Sequence, residues 1–276
     1  MSYLVIPRIR IQNANALPTW WMIGPPAMTA YAGFSQAIAL TLGLKTYQGF
    51  GVIHHDIQFL GEYFGVLKPH QFRAATLIDH NDYSSKNKYG LSSQPTARCH
   101  LTLSFVVHFN DEDGLDLEDA LPRFMRRARI AGGSVIEHGK ISLLENMDQV
   151  ISFLKTGYAI HERQDLMTLS EEDQDMLDVV LRLTNPLERF KSKKANTDAE
   201  EADSFAWLMP TCLGYQAITD FQERKNAREG LLHAFAEPLV GMVQYQSIRR
   251  KGIPMWKMVN LDTQTFVVTT NHERDK

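Results

Sequence analysis

The chain opens on an alternating pattern. Tyr3, Val5, Ile9 and Ile11 fall on one side, Arg8, Arg10 and Gln12 on the other, which predicts a strand with one buried and one polar face. Pro7 lacks a ladder donor, so this strand should lie at a sheet edge or carry a bulge. Residues 29–42 place Phe34, Ile38 and Leu42 at helical spacing, with Gly43 as a stop. Residues 50–59 predict a second strand. Residues 80–98 are polar, lack a period and predict a loop or irregular hairpin. Residues 100–109 alternate most cleanly, with Leu101, Leu103, Phe105, Val107 and Phe109 on one face and Thr102, Ser104 and His108 on the other. A helix capped near Asp116 should run to about Ile130 and end at Gly132–Gly133. Residues 134–144 predict another strand. This order, βαββαβ, is that of a ferredoxin-like (RRM-like) domain.

The second half reads differently. Residues 147–154 form a short amphipathic helix. Ser170 should cap another, carrying Met176, Leu177, Val180, Leu181 and Leu183, with Glu171, Glu172 and Asp173 at its positive end. Residues 191–203 hold three lysines and then four acids, with nothing more apolar than Ala, and read as a solvated linker. Structure should resume at 205–218, with a further strand at 266–269. The expected fold class is therefore α+β. A ferredoxin-like domain covers 1–145, a helical insertion and linker 146–204, and a β-rich part that packs on the first domain 205–276.

Composition narrows the classes. The 276 residues are 44% hydrophobic, with 29 Lys and Arg against 32 Asp and Glu. A net charge of −3 means that any nucleic-acid site must be a local cluster, or that partners supply charge. Cys99 and Cys212 make neither a disulfide framework nor a four-ligand zinc set, and both read as buried thiols. No secretory signal and no apolar run of membrane-spanning length is present, so the expected compartment is the cytoplasm.

Candidate chemistry points to binding rather than catalysis. Arg126, Arg127 and Arg129 lead into Gly132, Gly133 and Ser134, where guanidinium groups and exposed backbone N–H groups could hold an RNA backbone. The plainer alternative is a helix cap with arginines on its dipole. Arg8, Arg10, Gln12, Asn13 and Asn15 line the open side of the first strand, although the aromatic pair of an RRM is missing. Trp20 and Trp21, beside Pro18, Pro25 and Pro26, could stack a base, anchor a partner or form local core. His54 and His55 are adjacent on a strand, face opposite sides, and so cannot share a metal. No metal site, catalytic constellation or cofactor motif is expected. Lys225, Asn226, Ala227 and Arg228 form a compact polar cluster suited to phosphate or to a solvated turn, and Arg249, Arg250 and Lys251 form another basic run.

Several segments together carry a family likeness. Leu4 to Ala16, Gly33-Phe34 with Gln36-Ala37-Ile38, Arg129 to Ser134, Trp207 to Tyr215, and Lys225 to Arg228 occur in order along the chain. They resemble the "Cas five" proteins of type I-F CRISPR systems, also called the second Csy subunit. The resemblance implies a ferredoxin-like fold of the repeat-associated (RAMP) RNA-binding type. It implies a non-catalytic subunit that binds the 5′ handle of the crRNA and meets the large subunit and the backbone subunits. Asn226 and Arg228 join the RNA-binding set on this likeness, which includes no membrane. In a branch of these systems without a large subunit, a helical insertion reads target double-stranded DNA near the PAM, and the sequence leaves the branch open. The competing functions are a metal-independent endoribonuclease, with His54 or His138 as general base, and a protein-interaction scaffold built on Trp20 and Trp21.

Overall fold

The computed structural model describes residues 2–70, 72–75, 93–110, 116–170, 173–185, 207–224 and 230–271, with side chains from 96 onward in the third of these stretches and none in 72–75. The solvated linker and the cluster holding Asn226 and Arg228 lie outside the described residues. The first half supplies β1 (Ser2–Asn15), α1 (Met28–Leu42), β2 (Tyr47–Phe59), the small pairs β3 (Gly61–Tyr63) with β4 (Leu67–Pro69) and β5 (Phe72–Ala75) with β6 (Ser93–Thr96), and β7 (Arg98–Phe109). Next come α2 (Ala120–Met125), β8 (Arg129–Ile130), β9 (Gly133–Glu137), β10 (Ser142–Leu144) and α3 (Met147–Leu154). The remainder is β11 (Tyr158–Glu162), α4 (Met176–Thr184), β12 (Leu208–Ala217), β13 (Ala236–Ser247), α5 (Ile248–Lys251), β14 (Lys257–Asn260) and β15 (Thr265–Thr269).

The chain is an α+β protein in which eleven strands join one antiparallel sheet, ordered β14-β15-β12-β13-β11-β2-β7-β1-β9-β8, with β10 beside the start of β1. One face of β1, β2 and β7 packs under α1 and α2. Ile6, Ile9, Phe34, Ile38, Phe50, Leu103 and Phe105 form that core, and Phe105 stacks on Phe50 and meets Phe34 edge-on. Gly43, at φ +66, ends α1, and the N–H of Leu44 returns to the carbonyl of Ala39. On the other face, α3 covers Val5, Ile53 and Val106 through Val150 and Leu154. Both cysteines are buried.

The sheet curls in its second half. Phe50 and Trp256 exchange both backbone hydrogen bonds, at 2.9 and 2.7 Å, so the start of β14 closes back on β2. Trp256 is fully buried, and its indole N–H donates to the carbonyl of Ile160 at 2.9 Å. That pins the closure to β11, which itself bridges β2 and β13.

Several expectations need correction. Tyr3 and Val5 do not share a face with Ile9 and Ile11. Leu4 and Ile6 do, because a bulge at Pro7–Arg8 shifts the register by one residue. The second helix stops at Met125, not Ile130, and Gly132 is not its cap. The fourth helix is capped by Asp175, whose carboxylate accepts from the N–H groups of Leu177 and Asp178. Ser170 instead donates to Asp173. Within 146–204, expected as a helical insertion and linker, Tyr158–Glu162 forms strand β11.

Candidate nucleic-acid interface

Beyond the cover of α3, Ile248 and Ile253, the face of the sheet opposite α1 and α2 is open among the described residues, and β1 shapes it with two bulges. Between Ile6 and Ile9, and again between Ile11 and Ala14, β1 holds one residue more than β7. The displaced residues, Arg8 and Asn13, sit at φ +53 and +58. A bulge leaves an N–H without its ladder partner, and a buried or half-buried donor needs one. Here a β7 side chain supplies it each time. The N–H of Arg8 donates to Ser104 Oγ at 3.0 Å, and the N–H of Asn13 donates to His100 Nδ1 at 3.2 Å. The second bond fixes the His100 tautomer: Nδ1 accepts, so the ring proton sits on Nε2.

The glycine element is a β-hairpin. β8 and β9 pair with Ile130 opposite Gly133, and the two loop residues, Ala131 and Gly132, have φ +50 and +74. That is a type I′ turn, the hairpin turn whose twist suits its strands. Only Gly132 of the pair faces solvent. Gly133 is buried, and a β-carbon there would lie 2.6 Å from the Ala14 nitrogen. The turn docks on β1 through the N–H of Asn15, which donates to the Ala131 carbonyl at 2.8 Å.

This arrangement brings part of the predicted set together. Gln12 pairs with Ser134, and Ser134 with Arg129, so these three share the open face with exposed Asn13. Arg10 lies there too, but its guanidinium is bound to Glu137 at 2.7 Å. Asn15 is turned to its own loop, where its amide both accepts from and donates to the backbone of Leu17. Arg8 stands apart, beside Thr156 at the end of α3. Arg126 and Arg127 are exposed in the turn between α2 and β8, on the rim of the sheet. Asp56, exposed and opposite Thr102, marks the acidic limit of the strip on the β2 side.

Two β7 residues that the pattern did not single out belong to the same patch. His100 holds the Asn13 bulge, and Arg98 Nη1 donates to the Asn13 carbonyl at 3.4 Å. The strict alternation of β7 puts His100 on the open face. Arg98 was hidden because the polar run before it predicts a loop.

Of the two histidines named as candidate general bases, His54 is enclosed by the fold. His54 is buried between two phenols, Tyr31 at 2.8 Å and Tyr245 at 3.3 Å, and burial pushes its pKa down to about 3. His138 Nδ1 lies 2.8 Å from the Gly139 carbonyl. His55 points the other way from His54, onto Ser104 at 2.6 Å, and burial with the nearby Arg8 charge lowers it to about 4. Trp20 and Trp21 are surface residues, 75% and 43% exposed, so local core is not their role. Among the described residues no group of histidine, cysteine and carboxylate side chains is arranged to hold a metal ion, and no helix is long and apolar enough to cross a membrane.

The open sheet face and the tight glycine hairpin define the candidate interface, and comparison with known proteins gives the family. The profile described as "CRISPR-associated protein (Cas_Csy2)" matches residues 4–258. The chain is also 24% identical over 295 residues to the CRISPR-associated protein Csy2 of Pseudomonas aeruginosa (strain UCBPP-PA14), an alignment that covers 90% of this chain and 88% of that protein. The chain belongs to the Csy2 family of CRISPR-associated proteins, the family of the type I-F Csy complex.

Proposed function

We propose that this protein binds the 5′ handle of the crRNA within a type I-F complex, without cutting it, and that the open face of β8, β9, β1 and β7 is the contact. The observation that carries the proposal is the alignment of Arg129, Ser134, Gln12, Asn13 and His100 across four neighbouring strands on the side away from α1 and α2. Side-chain donors on an open sheet are a common way to hold single-stranded RNA. The order β9-β1-β7-β2, with helices following the first and third of its strands in the chain, supports a ferredoxin-like core of the RAMP type in residues 1–145. Residues 146–204 and 205–276 are then additions to that core. Gly132 and Ser134 contact the RNA directly, while Gly133 lets the hairpin dock closely on Ala14 of β1. Arg126 and Arg127 extend the positive rim, and Arg8 the far end of the strip. Asn226 and Arg228 are carried as contacts by the family likeness alone. Partner subunits of the complex, the large subunit and the backbone subunits, supply the rest of the charge around the RNA.

The test is a salt titration with labelled RNA transcribed from the protein's own CRISPR repeat. Replacing Arg129 with Gln should weaken binding and lower the slope of log K against log salt by about 0.7, the value for one phosphate contact on a single strand. A slope equal to wild type would remove Arg129 from the interface. The exposure of Trp20 and Trp21 favours a second role for the loop at residues 16–27, as an anchor for a partner subunit. Trp20→Ala should then reduce recovery of the assembled complex while leaving RNA affinity of the free chain unchanged.

A further inference from the structure

The arginine whose side chain crosses β1 has no acid beside it among the described ion pairs. Arg98 begins β7 and lies opposite Asn15. Its side chain runs back over the second bulge, where Nη1 reaches the carbonyl of Asn13 at 3.4 Å. The same Nη1 stands 3.9 Å from the place a β-carbon on Gly132 would take. One guanidinium thus spans from the bulge to the hairpin turn. A guanidinium carries five N–H donors in a planar fork. The Asn13 carbonyl occupies one of them, and at 3.4 Å only weakly.

Resting on the RNA-binding reading above, we infer that Arg98, the Asn13 bulge and the Gly132 turn form a seat for one phosphodiester of the bound strand. Arg98 grips the phosphate. The bulge and the turn keep side chains out of its way. Asn13 at φ +58 turns its carbonyl toward the guanidinium and fixes the direction of the fork. Gly132 presents bare backbone on the far side. His100 is a positioning residue: by accepting the Asn13 N–H it holds the bulge open, and its Nε2–H remains a donor on the same face. The Arg10–Glu137 pair, by contrast, already satisfies the cation nearest to the seat on β1. The seat therefore depends on the β7 arginine and not on the more conspicuous β1 arginines.

The experiment compares full-length wild type, Arg98→Gln, Arg98→Lys and Arg129→Gln with the repeat-derived RNA over a range of salt. Arg98→Gln should weaken binding about tenfold near 0.1 M salt and reduce the salt slope by about 0.7. Arg98→Lys should keep the slope, since the charge stays, and fall between the two in affinity because the fork is lost. A loss of affinity at unchanged slope in Arg98→Gln means that the residue only braces the bulge, and this overturns the seat. So does unchanged affinity. If Arg129→Gln lowers the slope while Arg98→Gln does not, the seat fails and the open face stands. If neither lowers it, both fail.

Discussion

At the scale of single residues, His54 shows how burial fixes a protonation state. It sits between Tyr31 and Tyr245, and a neutral imidazole can donate to one phenol and accept from the other. Burial is the larger cause of its depressed pKa, near 3, and the neighbouring His55 adds to it. The ordinary value is 6.5, and the unfolded chain regains it. Above pH 6.5 neither state binds the proton and the contribution is complete. As the pH falls from 6.5 toward 3 the unfolded chain takes up a proton that the native state refuses, so stability declines by about 1.4 kcal/mol per pH unit from this ring. Denaturant unfolding between pH 6.5 and 4.5 should show this slope, and His54→Gln should remove about that much of it. A variant with the wild-type slope would show that His54 is not held neutral. From sequence, His54 and His55 were legible as strand neighbours on opposite faces, but the tyrosines come from positions 31 and 245, far away in the chain.

At the scale of elements, β1 and the glycine hairpin explain what the pattern revealed and what it hid. Alternation located β1 and β7, helical spacing located α1 and an apolar run located β2, because each buries a face on a common core. It could not locate the bulges. A bulge inverts the parity of every later residue, and its cause, a β7 serine or histidine that accepts the stray N–H, lies some ninety residues away. Pro7 was the one local sign. The paired glycines were visible, but a two-residue hairpin and a helix stop share the same glycine signal. The two glycines now have separate reasons. Gly132 has space around it but a left-handed backbone, whereas Gly133 would drive a methyl into the backbone of Ala14. Gly133→Ala should therefore destabilise the protein by about 1–3 kcal/mol through overpacking. Gly132→Ala should cost about 1–2 kcal/mol through its dihedral alone. Chemical denaturation measures both, and a Gly133→Ala protein as stable as wild type would contradict the docking of the hairpin on β1.

At the scale of the molecule, one sheet serves two purposes. Its first half leaves a polar face open, and its second half curls until Trp256 meets Phe50. The closure was not legible. β11 and β14 are short, β13 is mixed in polarity, and a closing bridge between positions 50 and 256 has no local signature. The motif likeness to a type I-F family was legible, because its short segments recur in order along the chain, and the match over residues 4–258 agrees with it. What the motifs could not give was the face. Arg8, Arg10, Arg126 and Arg127 were as prominent in the sequence as Arg129, yet the fold pairs one with an acid and sends the others to the end of α3 or to the rim. The central claim is that RNA lies on the open face of β8, β9, β1 and β7. Photocrosslinking of thiouridine-substituted repeat RNA to the full-length chain, read by peptide mass spectrometry, addresses it directly. Crosslinks should fall on peptides that contain Gln12 and Asn13, His100 and Ser134. Crosslinks confined to α1, α2 or the basic run at Arg249 to Lys251 would contradict it.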